Sequence, residues 1–216
     1  MESVMYISVE SYEEMYLNNK DVAAIEREVE KIRSEISRLK MKMESPAYLY
    51  SQGGAPSDVE VVEIYRAYFE KAAEVLSDRL GGVCVLTEEE KAAIIVDSMV
   101  DDIKCLTLTV GEYLENKYEL DLGTDTAAVT EIHLGEAPPV RYVDSAAVLR
   151  AMRSLHLGEW KQNYLPEQYG CTLNEPTKWQ VRIDYAGGAA PRFYDGLGVF
   201  PYNFPALCKL LGAEVY

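Results

Sequence analysis

The residues of this chain best suited to chemistry are carboxylates. Asp97, Asp101 and Asp102 cluster where a helical pattern gives way to strand alternation, and Glu88, Glu89 and Glu90 open the same helix. Asp97 and Asp101 stand four apart and would share a face if the helix continued that far. Carboxylates paired in this way can hold Mg²⁺ or Ca²⁺, or act as acid and base. The EF-hand spacing is absent, however. The reading preferred from sequence is an acidic surface, either simply solvated or offered to a partner. It comprises Glu88, Glu89, Glu90, Asp97, Asp101, Asp102, Glu112 and Glu115. No catalytic residue, metal ligand or cofactor is assigned.

Other chemistries find little support. The two histidines, His133 and His156, have no partner at metal-ligand spacing. There is no G-x-S-x-G, no Walker A motif and no G-x-G-x-x-G after a strand. The Gly-Gly-Ala-Ala run at 187–190 reads as a turn. Cys84, Cys105, Cys171 and Cys208 are irregularly spaced and form no C-x-x-C pair. Their apolar neighbours predict small buried thiols in a reducing compartment. Arg182, Arg192, Phe193, Tyr194 and Tyr202 combine aromatic and guanidinium groups, a mixture that serves both packing and binding hot spots. The 16 tyrosines favour contact surfaces over catalysis.

Charge narrows the partners. The net charge is −15, and residues 87–136 carry 13 acidic against 3 basic side chains. A nucleic-acid binder shows the opposite sign in clusters, so direct binding to DNA or RNA is not expected. Attraction to a protein with a basic surface is. No apolar run approaches the ~20 residues of a membrane span. The segment "MESVMYISVESYEEMY" lacks a basic stretch followed by an apolar one, so the expected location is cytoplasmic.

The elements that must position these groups are legible in the periodicity. Ser11 and Glu14 suggest a capping box. Val22, Ile25, Val29, Ile32, Ile36, Leu39 and Met43 hold an a/d seam for three heptads, and Pro46 ends that helix at Ser45. After a Pro/Gly-rich loop, Ser57 and Glu60 open a helix with Val62, Tyr65, Phe69, Ala72, Leu76 and Leu80 on one face, stopped by Gly81-Gly82. The two helices predict an antiparallel hairpin, with a homodimer through residues 22–43 as the alternative. A third capping box, Thr87 to Glu90, opens a short helix. The period then drops to 2, and "IKCLTLTVG", "KYELDL" and "AAVTEIHL" predict an antiparallel meander. "GEAPPV" reads as a loop, and Asp144 as the cap of a helix over about 145–157.

The most regular stretch is the last. Trp179, Val181, Ile183 and Tyr185 share one strand face, "AGGAA" turns, "PRFYDG" returns, and "NFPALCKLLG" is a helix with Gly212 as its stop. Every conspicuous residue there, Trp179 included, has a packing or turn role. The fold class expected is α+β: a helical hairpin over 1–86, then small antiparallel sheet elements packed with helices over 87–216. The second part divides into an acidic meander, 87–136, and a helix plus strand-hairpin-helix unit, 137–216.

The segments "IYRAYFEKAAEVL", "LRAMRSLHLGEWKQNY" and "W-x-V-x-I-x-Y…FPYNFPALCKLLG" resemble a family of uncharacterised proteins of anaerobic gut bacteria, many carried on mobile elements. The resemblance covers most of the chain. It implies an accessory cytoplasmic protein and transfers no catalytic residue. The chain departs from the family at Gly198-Val199-Phe200, where members carry polar residues, so no polar role passes to that loop. The function expected is non-enzymatic protein binding. Its concrete form is an acidic inhibitor of a nucleic-acid-handling complex, of the anti-defence or anti-CRISPR type, with carboxylates in place of phosphates. The alternatives are an enzyme using the acidic cluster with a divalent cation, and a structural oligomer built on the heptad helix.

Overall fold

The computed structural model describes residues 6–50, 56–123, 125–132 and 139–213; His133 and Thr124 of the expected meander lie outside them. The architecture is mixed α and β, with six α-helices and one seven-stranded, mostly antiparallel sheet among the described residues. The chain divides into two compact units. One is Met1–Met43 with Ala47–Thr87, and the other is Glu44–Pro46 with Glu88–Tyr216.

The first unit is helical. A short helix α1 (Val9–Tyr12) runs into a π-helical turn (Glu13–Leu17), followed by α2 (Val22–Glu44) and α3 (Asp58–Arg79). The helix start expected at Ser11 lies earlier. Ser8 is the cap, and its hydroxyl accepts the Ser11 N–H at 3.2 Å. At α3, Ser57 and Glu60 form the reciprocal capping box. One core joins these helices: Tyr12, Leu17, Ile25, Val29, Ile32, Tyr68, Ala72 and Leu76, with Tyr65 and Phe69 against it. Tyr12 and Tyr68 stack at 4.3 Å, and the Tyr68 hydroxyl donates to the Ile7 carbonyl at 2.5 Å. The seam residues Ile25, Val29, Ile32, Leu39 and Met43 are all buried within the chain. Of these, Ile25, Val29 and Ile32 share their core with Tyr68, Ala72 and Leu76 of α3.

The second unit is built on the sheet, in the order β4-β3-β2-β1-β6-β7-β5. Its strands are β1 (Ile103–Gly111), β2 (Asn116–Leu122), β3 (Thr126–Ile132), β4 (Val140–Asp144), β5 (Asn163–Tyr164), β6 (Lys178–Tyr185) and β7 (Arg192–Leu197). The meander and the C-terminal strand pair are not separate elements. Strand β1 pairs with both β2 and β6, so Leu106, Leu108 and Val110 line up with Leu120 and Tyr118 on one side and with Ile183, Val181 and Trp179 on the other. Strand β4 takes in Val140 of the expected loop and the expected cap Asp144, because an exposed edge strand has no buried face to produce alternation.

Helices α5 (Ser145–Arg153) and α6 (Phe204–Leu211) contribute Val148, Met152, Phe204, Leu207 and Leu211 to the same core as the inward strand residues. The helix expected to reach Leu157 ends at Arg153, and His156 breaks off in the left-handed region at φ 44°. An aromatic cluster fills the centre. Trp179 is fully buried, its indole N–H donates to the Val199 carbonyl at 2.7 Å, and its ring meets Tyr164, Phe200 and Phe204. A Cβ at Gly196 would overlap that indole, which is why β7 carries a glycine opposite Trp179. Asn203, at the cap of α6, does not cap it. Its side chain accepts from the Trp160 indole at 2.9 Å and donates to the Leu155 carbonyl at 2.6 Å. The other sheet face carries Cys105, Thr107, Lys117, Glu119, Asp121, Arg182 and Asp184, all exposed or half-buried.

No helix among the described residues is long and apolar enough to cross a membrane. The four thiols are free, and the expectation that all are buried fails at Cys84, which is exposed just past the Gly81-Gly82 turn. Cys208 is buried, and burial pushes its thiol up to about 12.

Candidate functional site

The acidic residues singled out by sequence fall at the two ends of β1. Glu88, Glu89 and Glu90 open α4 (Glu88–Ser98), Asp97 closes it, and Asp101 and Asp102 sit in the 3-10 turn before β1. Glu112 and Glu115 lie in the turn after β1, about 27 Å away at a strand rise of ~3.4 Å per residue. The first six fall at the two ends of α4, Glu88–Glu90 about 10–14 Å from Asp97 at a helix rise of ~1.5 Å per residue, and the last two lie beyond β1.

Their partners separate them further. Asp97 is half-buried and structural: its carboxylate accepts the Gly158 N–H at 2.7 Å and lies 3.7 Å from His156 Nδ1. Asp101 is paired with Arg153, Glu88 with Lys91 at 2.7 Å, and Glu115 accepts the Tyr113 N–H at 2.9 Å across its own turn. Such exposed pairs contribute ~0–1 kcal/mol each and leave the carboxylates reachable. Glu89, Asp102 and Glu112 are exposed.

Helix α4 itself is the unexpected feature. Three glutamates in its first turn complement the helix dipole. It buries only Val96, while Ile94 and Ile95 are 54% and 63% exposed. What holds it is close backbone packing. Gly158 approaches the Ala93 peptide so tightly that no Cβ fits, and the Asp97–Gly158 bond closes the same contact. The sequence predicts only a short helix here and no buried face for it; the one signal of exposure is crowding, two isoleucines beside Val96 on a helix too short to bury all three.

Two polar clusters complete the inventory. On the open sheet face, Cys105, Glu119 and Asp121 place a sulfur and two carboxylate oxygens within 4.8 Å of one another. Burial, aided by both carboxylates, pushes the Cys105 thiol up to about 11, so it keeps its proton near neutrality, and Lys117 holds Glu119 at 2.7 Å. A protonated thiol beside an occupied carboxylate is a poor cation site. The second cluster surrounds Glu44, whose side chain is 2% exposed. It accepts from Lys161 at 2.8 Å, from the Tyr169 hydroxyl at 2.7 Å and from the Tyr164 hydroxyl at 3.4 Å. This charge is neutralised and hydrogen-bonded, as a buried carboxylate must be, and reads as structure.

The chain matches no protein-family model, no curated protein and no solved structure. No residue role passes to it from a relative. Ile94 and Ile95 leave α4 with an adjacent pair of exposed aliphatic side chains.

Proposed function

We propose that this protein is a non-enzymatic binding protein that docks a partner with a basic surface through α4 and the turn after it. The observation that carries the reading is the Ile94–Ile95 pair, more than half exposed on a helix that buries only Val96. Glu88 and Glu89 at the start of the same helix, and Asp101 and Asp102 in the turn after it, are all exposed. An apolar centre with a charged rim is the general anatomy of a protein interface. The rim charges would steer association, and the isoleucines would slow dissociation.

In the narrower form the partner is a nucleic-acid-handling complex and the protein an inhibitor of it, in keeping with the resemblance to mobile-element proteins. The separation of Glu112 and Glu115 from the α4 group favours a compact docking patch over imitation of an extended phosphate strand. A cytoplasmic setting suits the exposed thiol of Cys84. The helices α2 and α3 serve this reading as an antiparallel hairpin within the chain.

Capture from nuclease-treated lysate, with identification by mass spectrometry, tests the proposal. It compares the wild type with the Ile94→Ser/Ile95→Ser pair and with a Glu88→Lys/Glu89→Lys/Asp101→Lys/Asp102→Lys variant. The same protein should be lost from both variants and released from the wild type by salt, since the Debye length is ~8 Å at physiological ionic strength. A captured protein retained by both variants refutes the docking surface. Competition by DNA or RNA supports the narrower form, and its absence removes that form.

A further inference from the structure

The helical unit carries a cleft that the docking surface does not use. Gly81 and Gly82, at φ 73° and 89°, turn the chain after α3. Arg33 of α2 holds the segment that follows, donating to the Val85 carbonyl at 3.4 Å. The cleft between α2, the end of α3 and this segment has a volume of about 360 Å³. Its lining residues are Glu26, Val29, Glu30, Leu76, Leu80 and Val85. Val29 and Leu76 are buried and belong to the core beneath, Val85 is half-buried, and Leu80 is 37% exposed.

The lining is aliphatic except for the two carboxylates, which stand one helical turn apart, ~6 Å along α2. They differ in what they meet. Glu30 is paired with Arg33, whose guanidinium also lies 5.3 Å from the Phe69 ring centre. Glu26 is exposed and has no hydrogen bond or ion pair among the described residues. With Glu30 offset by Arg33, the cleft keeps one uncompensated negative charge, at Glu26, beside an aliphatic wall.

That combination selects a ligand. An anion is repelled. A neutral apolar molecule fills the volume but takes water from Glu26 without replacing it, which is unfavourable. A divalent cation finds a single free carboxylate, and aliphatic walls cannot replace its oxygen ligands. An alkylammonium ion answers both features, because its chain removes apolar surface from water while its charge meets the carboxylate. The volume stands near the small end of the ~300–1,000 Å³ range of ligand pockets, which suits a chain of a few carbons.

We propose that this cleft binds a small aliphatic monoamine in its protonated form, with the alkyl chain against Leu76, Leu80 and Val85 and the ammonium on Glu26. A diamine gains little more, since the second carboxylate is already held by Arg33.

Methyl nuclear magnetic resonance of the full chain tests this. Pentylamine, pentanol, pentanoate and propylamine are titrated separately at neutral pH and constant ionic strength, and the methyl groups of Leu76, Leu80 and Val85 are followed. Pentylamine, protonated at this pH as a lysine side chain is, should give saturable shifts. Pentanol should bind about fivefold more weakly, the worth of one exposed charge pair, and pentanoate should not bind. Propylamine, two methylenes shorter, should bind about tenfold more weakly than pentylamine. Glu26→Gln, at an exposed position the fold does not depend on, should weaken pentylamine about fivefold and leave pentanol unchanged. The proposal is overturned by unsaturable shifts, by pentanol or pentanoate binding as tightly as pentylamine, by equal affinities for propylamine and pentylamine, or by a pentylamine affinity that Glu26→Gln leaves unchanged.

Discussion

Replacing Gly158 with alanine should release α4. A Cβ at Gly158 would lie 2.6 and 2.7 Å from the Ala93 carbonyl carbon and Cα, and nearer still to its oxygen. Relaxed carbon contacts need ~3.5–4.0 Å, so the backbone of α4 must retreat by about 1 Å. The same retreat stretches the 2.7 Å bond from the Gly158 N–H to Asp97 beyond the ~3.5 Å at which it ceases to count. Losing a hydrogen bond to a charged group costs ~1.5–3 kcal/mol. Partial exposure of Val96 adds a fraction of the ~1.5–3 kcal/mol that burying such a side chain is worth. The local loss is therefore about 2–4 kcal/mol, or roughly a 30- to 1000-fold fall in protection of the α4 amides. Hydrogen exchange read by mass spectrometry on peptides covering 88–102, against peptides from β1 and β6, measures it. The fall should be confined to α4, since β1 and β6 pair with each other and not with it. Unchanged exchange in α4 would refute the argument that this one close approach seats the helix.

Asn203→Ala removes the side chain that joins the Trp160 indole to the Leu155 carbonyl, leaving two buried groups unpaired at ~1–3 kcal/mol each; urea unfolding followed by tryptophan fluorescence should show a loss of about 2–6 kcal/mol. Both tryptophans lie in the sheet unit, so the signal reports that unit alone. Ile94→Ser/Ile95→Ser should change stability by no more than ~0.5 kcal/mol in the same assay, because both side chains already face solvent. The Cys208 thiol is raised to about 12, above an unfolded value near ~8.5, so the folded state holds a proton that the unfolded state releases. Stability of the sheet unit should therefore be complete below pH ~8.5 and fall between there and pH 10, by up to ~1 kcal/mol per unit, with a shallower slope in Cys208→Ala.

The local chain determined much of this fold. Three heptads and two capping residues placed α2 and α3 within a residue or two, and alternation placed β1, β2, β3 and β6, because a periodicity is visible wherever one face is buried and the other is not. It was silent at β4, whose edge position buries little on either face, and at the end of α5, where the left-handed His156 interrupts a pattern that could have continued. The acidic block was evident as composition. Which carboxylates stand together was decided by β1, whose length carries Glu112 and Glu115 away from Asp101 and Asp102. That β1 pairs with both β2 and β6, fusing two expected elements into one sheet, is a contact between residues some 75 apart, and no local pattern encodes it. The same holds for the exposure of Ile94 and Ile95. Side-chain type is written in the sequence, but whether a group is buried, and whether it meets a partner, depends on what the rest of the chain brings beside it.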